Sequence, residues 1–170
     1  MIEVVIDSIR VSLMSPHRLV ILKDPKTERY LPIWIGSCEA DAIAAGLQDQ
    51  DSSSRPLTHE LLKTLVATMG GELQYVLVNL LQNGAFHAQL VIRQNGRQLE
   101  VDSRSSDAIA VAVRAHVPIY VNEAVMEEAG MSPDEEVQTE TPAEASDDRL
   151  SVFKDYIDSL NLDDLDDSDS

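Results

Sequence analysis

Ile35-Gly36-Ser37-Cys38-Glu39-Ala40-Asp41-Ala42-Ile43-Ala44 aligns without a gap to Val101-Asp102-Ser103-Arg104-Ser105-Ser106-Asp107-Ala108-Ile109-Ala110, at an offset of 66 residues. Each string reads as a strand end, a short polar loop and a helix that opens on Asp-Ala-Ile-Ala. What surrounds them matches too. A strand pattern near residues 2–13 precedes a hairpin, 18–23 and 29–35, that turns at Asp24-Pro25-Lys26-Thr27. Pro32 cannot donate to a ladder, so its strand belongs at an edge or bulge. A small-residue helix follows over 39–48. Residues 57–69 form a second helix, with Leu61, Leu62, Leu65, Val66 and Met69 at helical spacing and Gly70-Gly71 as the stop.

The second half repeats this layout. Strands over 73–81, 86–93 and 98–102 are joined at Asn83-Gly84 and Asn95-Gly96, the strongest short hairpin signals. Ala88, Leu90 and Ile92, then Leu99 and Val101, alternate with polar residues, so one face is buried. A helix over 105–115, a short strand over 118–121 and a helical turn over 123–129 close the pattern. The expected fold is α+β, two pseudo-repeated β-β-β-α units on a mixed or antiparallel sheet.

Charge divides the chain differently. Of 170 residues, 13 are Lys or Arg and 30 are Asp or Glu, a net of −17. Residues 132–170 hold 14 acids and two bases, leaving 1–131 with a net of only −5. This predicts a domain over 1–131, an acidic linker over 132–148, an amphipathic helix over 149–162 and a solvated acidic end over 163–170. The helix rests on Leu150, Phe153, Ile157 and Leu160, whose spacing makes one stripe that must dock on this domain, its oligomer or a partner. No apolar run reaches the ~18 residues of a membrane span, and no signal peptide is evident at the start. The lone Cys38 excludes an internal disulfide or a CxxC zinc site. Together these predict a cytoplasmic protein without a membrane partner, and exclude a generic basic nucleic-acid binder.

Both repeated loops lead into helix N-termini, which favour anions and acidic first turns. Ser105 or Ser106 is the expected cap of the second. Asp102 and Asp107 can also face one cleft and, with Asp41, hold Mg²⁺ or Mn²⁺, which take oxygen ligands and activate water. Arg104 between them suits a phosphate, as does Arg55; Ser103 completes the substrate-binding set. His59, beside Glu60 early in the second helix, is the candidate general base, or else a helix-terminal histidine satisfied by backbone or water. Glu39 joins His59, Asp102 and Asp107 as a catalytic candidate. His17, His87 and His116 show no zinc-binding spacing.

Five strings in order, Leu31-Pro32-Ile33-Trp34-Ile35-Gly36, Glu39-Ala40-Asp41-Ala42-Ile43-Ala44, Arg55-Pro56-Leu57-Thr58-His59-Glu60-Leu61-Leu62, Asp102 through Ala110 and Pro118-Ile119-Tyr120-Val121, resemble the bifunctional nuclease (BFN) domain family. The resemblance covers residues 1–131. It implies a compact α+β domain that tends to oligomerise, and a capacity, reported for some members, to cleave RNA and DNA. It brings no agreed mechanism, so Glu39, Asp41, Arg55, His59, Asp102, Arg104 and Asp107 carry over as candidates. Ser105 stands where the family often has proline, which fits a first helical turn.

Two classes of function follow. One is a nuclease with little sequence specificity, acting on RNA or DNA with divalent-metal help. It binds weakly, because the domain has no basic run and few aromatic residues to stack bases. The other is a non-catalytic, oligomeric binding or regulatory module whose helix N-termini take a small anion or a partner protein.

Overall fold

Three strands open the chain. β1 (Ile2–Val11) pairs antiparallel with β2 (Arg18–Lys23), and β2 with β3 (Tyr30–Ile35). The β2–β3 turn is held by Asp24, whose buried carboxylate accepts from the Lys26 amide at 2.9 Å and the Thr27 hydroxyl at 2.6 Å. Helices α1 (Ser37–Leu47) and α2 (Thr58–Thr68) follow. A second antiparallel run comprises β4 (Gly71–Gln82), β5 (Ala85–Gln94) and β6 (Arg97–Arg104). Its two-residue loops place Asn83 and Gly84 at φ 52° and 74°, and Asn95 and Gly96 at 51° and 75°. Both central residues at positive φ define the type I′ hairpin that Asn-Gly favours. Then come α3 (Ser105–Ala115), β7 (Ile119–Val121) and α4 (Glu123–Ala129).

This computed structural model describes residues 1–11, 17–48 and 55–132. The predicted linker beyond Ser132, the tail helix over 149–162 and the acidic end over 163–170 lie outside the described residues. The first compact unit of the chain runs Met1–Asp134.

All seven strands form one mixed sheet in the order β3-β2-β1-β7-β4-β5-β6. β7 runs antiparallel to β1 and parallel to β4, and so joins the two three-stranded runs. β3 and β6 are the edges, which accounts for Pro32 in β3. The core combines Val20, Leu22, Leu31 and Ile33 with Val76, Val78, Ile109, Val111 and Met126, all essentially inaccessible. α3 is buried along most of its length and packs against α1, where Gly46 lets the helices close. A Cβ on Gly46 would lie 2.9 Å from Val113 Cγ1.

One local expectation is corrected. Ser105 and Ser106 do not cap α3: they lie inside it and are buried, while Arg104 occupies the N-cap without a side-chain cap. The apolar face of α2 is left largely open, although Val66 packs against the core. His59 is the only buried residue of α2, and Leu61, Leu65 and Met69 stand 55%, 50% and 66% exposed. Helical periodicity identifies an apolar face but not what covers it.

Candidate active site

A cleft of about 970 Å³ opens where α1, α2 and α3 approach β5 and β6. Leu57, Leu62 and Val66 line it from the α2 side, Leu90 and Ile92 from β5, and Val101 from β6. Its charged end gathers Glu39 and Asp41 from α1, His59 from α2, Asp102, Ser103 and Arg104 from β6, and Asp107 from α3. These seven sequence candidates thus border one space, although they come from segments up to 68 residues apart. Arg55 is exposed ahead of α2 and does not line the cleft.

Asp107 is central. Its Oδ2 accepts from Arg104 Nε at 2.7 Å, and its Oδ1 accepts from Arg104 Nη2 at 3.1 Å. The same Oδ1 lies 3.2 Å from His59 Nε2. Arg104 Nη2 also pairs with Glu39 Oε1 at 2.9 Å. Glu39, Arg104, Asp107 and His59 therefore form a continuous chain that ties the two repeated loops to α2. Burial pushes the Asp107 carboxyl up, but the hydrogen bonds from Arg104 and His59 outweigh it and hold the carboxyl below the ordinary aspartate value. Asp107 in turn raises the Arg104 guanidinium above its usual value.

Geometry assigns each group an available function. His59 is buried, and its partner is Asp107 rather than backbone. With the proton on Nε2 donated to Asp107, Nδ1 keeps the lone pair a base needs. Arg104 uses Nε and Nη2, and its Nη1 has no partner among the described residues. The Ser103 hydroxyl donates to the Arg104 carbonyl at 3.1 Å. The Asp41 and Asp102 side chains are exposed and make no hydrogen bond or ion pair among the described residues.

Mg²⁺ or Mn²⁺ fits this donor set poorly. Both oxygens of Asp107 are already engaged, and among the described residues no three His, Cys, Asp or Glu side chains converge as ligands. The cleft holds four carboxylates against one guanidinium.

Sequence reasoning did not anticipate the apolar walls or the Glu39–Arg104 pair across the two loops. The spacing of Leu62 and Val66 and the alternation of Leu90 and Ile92 carried the signal for the walls, but it does not distinguish a cleft from a core. The pair had no local signal, because 65 residues separate its members.

A sequence model of the bifunctional nuclease domain matches residues 20–134, and the chain belongs to that family. An uncharacterized protein of Mycobacterium tuberculosis is 40% identical over 163 residues, covering 96% of this chain and 97% of that one. Bifunctional nuclease 1 of Arabidopsis thaliana is 33% identical over 145 residues, 83% of this chain and 44% of the plant protein. Bifunctional nuclease 2 of the same plant is 31% identical over 121 residues, 69% of this chain and 36% of its own length. No helix among the described residues is long and apolar enough to cross a membrane.

Proposed function

We propose that the chain hydrolyses phosphodiester bonds of RNA or DNA with little sequence specificity, at the charged end of the cleft. The observation that carries this reading is the Glu39–Arg104–Asp107–His59 chain. Two carboxylates hold Arg104 in place while leaving its Nη1 to meet a phosphate oxygen, and the adjacent histidine is oriented by Asp107. His59 Nδ1 takes the proton from the attacking water, or from the ribose 2′-hydroxyl in RNA, as the new P–O bond forms and the P–O bond to the departing nucleoside oxygen breaks; that oxygen leaves as an alkoxide and is protonated by solvent or by the His59 imidazolium. Arg104 opposes the negative charge that develops on the non-bridging oxygens. Asp107 positions both and keeps the His59 tautomer fixed. The relatives named as nucleases support the substrate class.

The lack of a basic run in the sequence of residues 1–131 fits weak, sequence-independent binding. Asp41 and Asp102 add negative charge beside Arg104, so phosphate binding depends on that one guanidinium.

Purified full-length chain is incubated with single-stranded RNA and DNA in Mg²⁺, Mn²⁺ or EDTA, beside identically prepared variants. His59→Ala and Arg104→Ala are each expected to lower kcat/KM by about 100-fold or more. Variants that cleave as well as the parent overturn the reading. The EDTA arm measures how far the chemistry depends on a divalent ion.

A further inference from the structure

The cleft does not end at its charged side. Leu62 and Val66 of α2 line the cleft, and at about 100° per residue Leu65, Met69 at the helix end and Leu61 continue this apolar stripe onto the exposed surface beside it. Opposite it, β6 exposes Leu99 and Val101 at 42% and 46%. α2 and β5 converge beneath, since a Cβ on Gly71 would meet Ile92 Cγ2 at 3.0 Å and Val66 Cγ1 at 3.1 Å. The result is a groove with an aliphatic wall on either side and Leu90 and Ile92 below. β6 is an edge strand, exposed along nearly its whole length. Among the described residues no helix lies over it as α3 lies over β4 and β5.

The groove has room for a short helix. Its volume of about 970 Å³ is comparable to that of about two turns of an α-helix with side chains. Its charge selects among occupants. Glu39, Asp41, Asp102 and Asp107 border it against Arg104 alone. The acidic stretch 132–170, with 14 acids and two bases, and a second copy of this domain, at −5, both carry charge of the same sign. A cationic helix is the complementary partner.

We infer that the α2–β6 groove binds an amphipathic basic helix of a partner protein. The aliphatic face lies against Leu62, Leu65, Leu99 and Val101, and the Lys/Arg face lies over Glu39, Asp41 and Asp102. The site goes beyond the proposed catalysis. A helix seated there covers His59 and Arg104, so it competes with nucleic acid.

The probe is a fluorescein-labelled peptide of about 14 residues with Leu and Lys at amphipathic helical spacing, paired with a Leu/Glu peptide of the same pattern. Anisotropy with the full chain is expected to report binding of the Leu/Lys peptide only. Leu65→Ser/Leu99→Ser, which leaves net charge and the catalytic groups untouched, is expected to weaken it at least about tenfold. Nuclease turnover by that variant should stay at the parent rate. A benzophenone on the peptide should cross-link the parent at residues 61–69 and 99–104, a readout independent of how well the variant folds. Equal affinity for the variant, equal binding of the Leu/Glu peptide, or cross-links confined to residues 132–170 would overturn the inference. So would a parent dimer that excludes the peptide and dissociates in the variant, since a second copy would then fill the groove.

Discussion

Asp107 accepts from two neighbours, and this makes it sensitive to acid. Folded Asp107 releases its proton more readily than the same carboxyl in the unfolded chain, because Arg104 and His59 favour the charged form. Its contribution to stability is complete above the unfolded value of about 3.9 and is lost as pH falls through the lower folded value. Asp107→Asn is therefore expected to lower Tm at neutral pH and to flatten the acid limb of a Tm-against-pH curve. Parallel curves for parent and variant would show that the carboxylate contributes nothing to folding. At this scale the sequence was informative about residue identity: Asp107, His59, Arg104 and Glu39 all stood out by chemical type and loop position. It was silent about partners. His59 meets an aspartate 48 residues away, and no local pattern encodes that contact. Ser105 and Ser106 misled for a related reason, since burial beneath the sheet turned two cap-like residues into interior ones.

Helices and strands were more legible than their surroundings. The two Asn-Gly hairpins follow directly from the left-handed φ values that those residues accept, and both formed with two-residue loops. α2 was legible as a helix, but its exposed stripe was not, because period identifies a face and only tertiary packing decides whether it is covered. α1 and α3 show the opposite case. Small residues in both helices allow close approach, and a Cβ on Gly46 would press on Val113 Cγ1 and Arg114 Cγ. Gly46→Leu is expected to cost about 1–3 kcal/mol by overpacking. Urea denaturation checks this: a lower midpoint with an unchanged slope is the expected result. Glu39 rides on α1, so forcing the helices apart should also reduce turnover, through Arg104.

Across the whole molecule, charge is partitioned between a mildly acidic domain and a strongly acidic extension. Removal of residues 135–170 is expected to tighten nucleic-acid binding at low salt, with the difference vanishing as salt shortens the range of repulsion to a few ångströms. Anisotropy titrations at several salt concentrations check this; unchanged affinity at low salt would mean that the extension's charge is incidental. The sheet order has a further consequence for synthesis. β7, only three residues long, lies between β1 and β4, which share no ladder of their own. A nascent chain can form each antiparallel run while it emerges, yet the two cannot become one sheet until residues 119–121 have left the ribosome. Residue 2 then pairs with residue 121, a closure that spans most of the domain and carries the loop entropy of that separation. The last strand made is the one that locks the first in place.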